Sequence, residues 1–63
     1  MDGEWEFKFG DVVVEIGYFM KYRVINTSPL GYMLCVHNGM QAHSERKEYV
    51  ERNFVKVGRV DDG

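Results

Sequence analysis

Short runs of β-branched and aromatic residues, separated by turn-forming residues, recur along this 63-residue chain. The run 12–16 is almost entirely β-branched, which is typical of a β-strand, and Gly17 ends it. Residues 18–25 are rich in aromatic and β-branched side chains and predict a second strand. The following segment, 26–31, contains the only proline of the chain and predicts the one clear loop. The pattern therefore indicates strands joined by tight turns.

An Asn-Gly pair, Asn38-Gly39, lies between two apolar runs in the middle of the chain. Such a pair readily adopts the two positive-φ positions of a type I′ turn, whose twist matches that of paired strands. We therefore predict a β-hairpin with arms at 32–37 and 40–46. A two-residue turn sets the register and pairs Cys35 with Ala42.

The segment 44–53 fits two local structures. Ser44 can cap a helix, but the apolar stripe that such a helix would bury is thin. We therefore predict that the hairpin strand continues to about Tyr49 and that one turn of 3₁₀-helix follows at 50–53. A closing strand, 54–57, completes the chain's elements. Together they predict an all-β fold, a small five-stranded antiparallel barrel with a short 3₁₀ turn before its last strand.

The chain is short enough to form one domain of residues 1–63, with the barrel at 10–60 and an acidic tail at 61–63. Apolar and charged residues alternate strictly over 4–9, as in a half-buried strand. Residues 1–9 therefore predict either a first strand or an acidic and aromatic N-terminal arm. The apolar side chains of that segment share one side: Trp5, Phe7 and Phe9.

The single cysteine, Cys35, excludes an internal disulfide and favours a reducing, cytoplasmic location. The N-terminus lacks the basic start and apolar stretch of a signal peptide, and no segment is long enough to cross a membrane. We therefore expect a cytoplasmic protein without a membrane partner.

This order of elements resembles the Src-homology-3-like small barrels, including their KOW, Tudor and Sm-like branches. The shared features are a three-strand meander that ends in a tight hairpin, a short helical turn, and two segments, Phe9-Gly10-Asp11-x-Val13 and 53–57. The resemblance implies binding to peptides, RNA or DNA and does not choose among them. The size and composition also resemble those of phage or mobile-element accessory proteins.

No constellation of residues predicts catalysis or metal binding. The soft metal ligands of the chain are Cys35, His37 and His43. In the predicted register only the first two share a strand face, which is too few for a structural zinc site. Cys35 is expected to be a buried structural residue and not a nucleophile. We therefore expect a protein that is not an enzyme and that needs no cofactor.

The distribution of charge favours nucleic acid as a partner. Residues 1–16 carry five acids and one base, whereas residues 17–60 carry seven bases and three acids. Single-stranded nucleic acid is held by aromatic rings that stack on bases and by cations that neutralise phosphate. Strand alternation directs Phe19, Lys21 and Arg23 outward. The predicted RNA or single-strand binding face consists of Tyr18, Phe19, Lys21, Arg23, Tyr32, His43, Arg46, Lys47 and Arg52.

An alternative is a protein-interaction module, such as a phage-type modulator of a host enzyme. The hairpin carries apolar side chains on both faces, and a barrel can bury only one of them. The exposed hairpin face and the acidic N-terminal arm would then contact the partner protein. The net charge of −2 favours this alternative, and a homodimer remains open as well.

Overall fold

The computed structural model describes residues 4–62, and these form an antiparallel five-stranded sheet with one short α-helix. The elements are β1 (Asp11–Glu15), β2 (Lys21–Ser28), β3 (Gly31–Val36), β4 (Ala42–Arg46), α1 (Lys47–Asn53), β5 (Phe54–Arg59) and a closing 3₁₀-helix (Val60–Asp62). The strand order is β4-β3-β2-β1-β5, so β4 and β5 are the two edges and do not pair with each other. The all-β class is confirmed, whereas the sheet is open and not a closed barrel.

The second strand is displaced from its predicted position. It begins at Lys21 and not at Tyr18, because the chain turns at Gly17 and the Tyr18 N–H donates to the Glu15 carbonyl. At its other end β2 runs to Ser28, through a register shift between Val24 and Asn26. Most of the predicted loop is therefore strand.

The predicted hairpin register is confirmed, since Cys35 pairs with Ala42. The predicted type I′ turn is wrong, because neither Asn38 nor Gly39 has a positive φ. Instead, the Gly39 N–H donates to the Val36 carbonyl at 3.1 Å. The last hydrogen bond between the two hairpin strands before the loop runs from the Val36 N–H to the Gln41 carbonyl. The hairpin loop is therefore wider than two residues.

A two-turn α-helix, α1, replaces the predicted strand extension and 3₁₀ turn. Val50 is fully buried at its centre, so this one side chain anchors the helix to the sheet. Lys47 and Glu51 form an i,i+4 ion pair of 3.1 Å along its length. The apolar stripe is thin, as the sequence indicates. The segment is nevertheless a regular α-helix, which contains this ion pair and one buried valine.

One face of the sheet carries the hydrophobic core. Residues 4–9 form no strand and cross this face, where Phe7 is buried and Trp5 is half-buried. Phe9, which alternation places beside them, is 72% exposed because the segment turns before Gly10. The core consists of Phe7, Val13, Val24, Tyr32, Leu34, Val50 and Phe54.

A polar contact between Tyr32 and Glu51 holds the covering segment and α1 together. The Tyr32 hydroxyl donates to the Glu51 carboxylate at 2.5 Å and accepts the backbone N–H of Phe7 at 3.0 Å. The same carboxylate accepts the N–H of Glu6 at 3.0 Å. Two backbone donors of an irregular segment are thereby satisfied by side chains from β3 and α1.

Lys47 completes this network from the other side. Its ammonium group donates to Glu51 and lies 5.3 Å from the centre of the Trp5 ring. Burial and the hydrogen bond to Glu51 raise the pKa of Tyr32 above its ordinary value. Burial opposes ionisation of Glu51, but hydrogen bonds from Tyr32, the Glu6 N–H and Lys47 hold the pKa of its carboxyl below the ordinary value.

Gly31 is the tightest backbone position of the sheet, and its substitution should destabilise the fold. Its φ is +146°, and a Cβ there would lie 2.1 Å from the Glu45 carbonyl oxygen. We expect Gly31→Ala to lower the free energy of unfolding by at least about 2 kcal/mol, measured by urea denaturation.

The matched control for that substitution is Gly39→Ala. Gly39 has no positive φ, and an added Cβ would meet only Val36 at ordinary contact distances of 3.5 and 3.6 Å. Its effect should stay within about 1 kcal/mol in either direction. Equal denaturation midpoints for the two variants would contradict this account of the β2–β3 turn.

Replacing Glu51 should remove a pH-dependent part of the stability. The pKa of its carboxyl is lowered in the folded state, so its contribution is complete above the ordinary glutamate pKa of about 4.3 and is lost as the pH falls through the folded value. We expect Glu51→Gln to cost about 1–2 kcal/mol at pH 7 and progressively less as the pH falls below about 4.3. Urea denaturation at several pH values measures this, with the exposed Glu48→Gln on the same helix as control. A cost that does not shrink at all as the pH falls below about 4.3 would refute it.

Candidate binding surface at the loop end

Two loops meet at the end of the sheet where β1 and β3 finish and where β2, β4 and β5 start. We call the surface formed by loops 16–20 and 37–41 the loop end. The His37 N–H donates to the Lys21 carbonyl at 2.9 Å, which ties the second loop to the start of β2. The Ile16 N–H donates to the Asn53 carbonyl at 2.8 Å, which ties the first loop to the end of α1. The backbone therefore holds both loops in place.

Five large apolar side chains of the loop end are unusually exposed. Phe19 is 99% exposed and Met40 is 95% exposed, and more than half the surface of Ile16, Tyr18 and Met20 is accessible. Isolated exposed apolar residues are common, but five within two adjoining loops form a patch. A groove of about 310 Å³ runs between the loops and is lined by Phe19, Met20, Lys21, Val36, His37 and Asn38.

The two loops themselves contain no acidic residue, and Lys21 is the only permanently charged side chain in the groove. The nearest carboxylate in sequence, Glu15, accepts a hydrogen bond from the Tyr49 hydroxyl, and this bond raises the pKa of Tyr49 to about 12. The loop end is therefore a mostly apolar surface with a small positive charge.

The structure brings together three of the residues predicted to contact nucleic acid. Tyr18, Phe19 and Lys21 lie within four residues of one another at the loop end, and all three are exposed. The outward direction that alternation predicts for Phe19 and Lys21 is confirmed. Because Phe19 and Tyr18 precede β2, their exposure follows from the loop and not from a strand face.

Tyr32 and Lys47 do not belong to that surface. Tyr32 is only 1% exposed, so its ring offers no face on which a base can stack. Lys47 is committed to Glu51 and to the Trp5 ring. Both residues instead hold the N-terminal segment 4–9 and α1 over the core.

Arg23 also has a structural role and does not point freely outward as predicted. Its guanidinium donates to the carbonyls of Gly39 at 2.9 Å and Val36 at 3.3 Å and lies 3.1 Å from the Cys35 sulfur. Register places it beside Val12 and Cys35, which are both buried. Arg23 thus fixes the shape of the hairpin loop, and Cys35 is a buried free thiol beneath it, as predicted.

The other predicted residues lie toward β4 and α1. His43 packs edge-on against Tyr22, with ring centres 5.6 Å apart, and its Nε2 is 3.2 Å from the Glu45 carboxylate. Arg46 and Arg52 line a separate groove along α1. The predicted cations are therefore divided between two surfaces and the interior.

Met40 and His37 belong to this surface although neither is in the predicted nucleic-acid face. Met40 is one of the apolar hairpin side chains that the protein-interaction alternative invokes, and its signal is its position directly after the Asn-Gly pair. In residues 4–62 no three His, Cys, Asp or Glu side chains converge as metal ligands. No helix of that part of the chain has the length and apolar character needed to cross a membrane.

Comparison of the chain with protein-family models, with curated proteins and with solved structures gives no match. The functional argument consequently depends on the surface described above.

The role of Arg23 can be tested through Cys35. We expect Arg23→Met to lower the free energy of unfolding by about 1–3 kcal/mol, because the carbonyls of Val36 and Gly39 lose the guanidinium group that donates to both of them. Labelling of the Cys35 thiol in the native protein should also become faster. The control is Lys21→Met on the same strand, whose side chain is exposed. Unchanged labelling in Arg23→Met would show that Arg23 does not cover the thiol.

Proposed function

We propose that this protein is a non-enzymatic interaction module that binds a partner protein through its loop end. The observation that carries the proposal is the near-complete exposure of Phe19 and Met40 on adjoining loops. Large apolar side chains held outward by a hydrogen-bonded backbone gain free energy when a partner removes them from water.

The composition of the patch suits a protein partner. Aromatic residues and methionine are enriched at protein interfaces, and methionine adapts its shape to different partner surfaces. The backbone hydrogen bonds of His37 and Ile16 hold the two loops before binding, so little conformational entropy is lost on association. These features support the alternative that the sequence left open beside nucleic acid.

Nucleic-acid binding is the second candidate, supported by Tyr18 and Phe19 beside Lys21. It ranks lower because affinity for single strands depends on several convergent cations. Arg23 is held by the hairpin loop and Lys47 by Glu51, while Lys56 and Arg59 bind the buried Asp11 carboxylate. Four of the eight Lys and Arg side chains are therefore engaged by protein groups, which leaves fewer cations to neutralise phosphate.

We further propose that the open sheet is a member of the Src-homology-3-like small-barrel class and that the protein acts in the cytoplasm. The meander of β1 to β4 and the helix before the aromatic-led β5 support the class. A host protein is the kind of partner that a phage-type accessory protein would bind. Neither proposal changes which residues form the proposed binding surface.

The proposal is tested with a random displayed 12-residue peptide library selected against the immobilised protein. We expect selected peptides to bind the wild type and to lose roughly 10-fold or more in affinity for Phe19→Ser or Met40→Ser, measured by fluorescence anisotropy. Both side chains are outside the core, so the thermal melts of these variants should match the wild type. A single-stranded RNA dodecamer, titrated over a salt series, tests the second candidate.

Leu30→Ser is the matched control, since Leu30 is 82% exposed in the β2–β3 turn at the opposite end of the sheet. Peptide affinity should be unchanged in this variant. If selected peptides bind all three variants equally, the loop end is not the binding surface. If only the RNA binds, with an affinity that falls steeply with salt and a slope that Lys21→Ala flattens, the protein is a nucleic-acid binder instead.

A further inference from the structure

We propose that the groove along α1 receives a carboxylate of the same partner segment that covers the loop end. The inference rests on the proposed function and adds the chemistry of the partner, an apolar peptide segment flanked by Asp or Glu. Two exposed arginines and their position next to the loop end carry it.

The groove has a volume of about 330 Å³ and lies on the surface of α1. Its two cations are Arg46, which immediately precedes the helix, and Arg52, which lies in the last turn. The Tyr49 ring and Asn53 complete it, together with one acid, Glu48. The Tyr49 hydroxyl is occupied by Glu15, so the tyrosine contributes its ring and not a free donor.

The two arginines of the groove differ from the other two arginines of the chain, Arg23 and Arg59. Within residues 4–62, neither Arg46 nor Arg52 takes part in an ion pair or in a side-chain hydrogen bond, and both are exposed. Arg23 and Arg59, in contrast, bind protein oxygens. Glu48 offsets one of the two charges, which leaves the groove with a net positive charge. A guanidinium group with its donors free matches a carboxylate in a two-point geometry.

The groove lies next to the loop end. The backbone carbonyl of Asn53, a residue that lines the groove, accepts the N–H of Ile16, the first residue of the apolar loops, at 2.8 Å. A peptide that covers Ile16 and Phe19 can therefore extend along α1 toward Arg52 and then Arg46. Charge complementarity favours an acidic extension, because the loop end also carries Lys21 and no acid in its two loops.

The test uses the displayed 12-residue library again, selected in parallel on the wild type and on Arg46→Gln/Arg52→Gln. We expect peptides from the wild type to combine apolar residues with Asp or Glu, and those from the double variant to keep the apolar residues and lose the acids. For one wild-type peptide, each single arginine variant should lower affinity by about 2- to 5-fold. Replacing the peptide's acids with amides should produce the same loss in the wild type and none in the double variant.

Lys8→Gln is the control, since it removes an exposed cation that lies outside both grooves. Its affinity for the acidic peptide should equal that of the wild type. If Phe19→Ser abolishes binding but the arginine variants select equally acidic peptides, the inference fails and the proposed function stands. If no selected peptide depends on Phe19, the proposed function fails first. Preference for a phosphoserine version over an aspartate version of the peptide would overturn the assignment of a carboxylate.

Discussion

The cover of this small sheet depends on the hydrogen bond between Tyr32 and Glu51. An open five-stranded sheet exposes its apolar face unless other segments lie over it, and here the cover consists of residues 4–9 and α1. The first of these is irregular and brings unpaired backbone N–H groups toward the interior. The Tyr32 hydroxyl and the Glu51 carboxylate accept two of them, so one side-chain pair joins β3, α1 and the N-terminal segment. Phe7 can be buried because of this arrangement.

The strands were predictable because their signals are local. A β-branched run and period-two alternation locate β1 and the outward direction of Lys21, and the spacing around the Asn-Gly pair gives the register of Cys35 with Ala42. The turn type was not predictable from the pair itself, since the Gly39 carbonyl is bound by Arg23 from a distant strand. The α-helical geometry of 47–53 likewise accompanies a contact beyond the local pattern, the burial of Val50 against the sheet.

The candidate surface, like the fold, can be predicted only in part from local sequence signals. Alternation accounts for the outward direction of Lys21, whereas Phe19 is exposed because it lies in the loop before β2. Alternation also cannot show that the loop containing Met40 lies next to these residues, because that proximity arises from the pairing of β2 with β3. On composition alone, Tyr32 and Phe19 were equally good candidates for stacking on bases, although the Tyr32 ring is buried and the Phe19 ring is almost fully exposed. Charge counting has a similar weakness. It does not distinguish Arg23, which holds a loop, from Arg52, which faces solvent.

The residues that stabilise the fold are different from those of the proposed binding surface. The charged groups that contact the interior, Glu51, Arg23 and Asp11, satisfy backbone groups or other charges and fix the irregular segments. The loop-end side chains contribute almost nothing to the core, since Phe19 and Met40 make so little contact with the rest of the chain. Substitutions at the loop end can therefore alter the proposed binding surface without loss of the fold, whereas the same change at Tyr32 would uncouple the cover from the sheet. A domain of this size has little stability to lose, so this separation leaves the loop end free to vary in sequence.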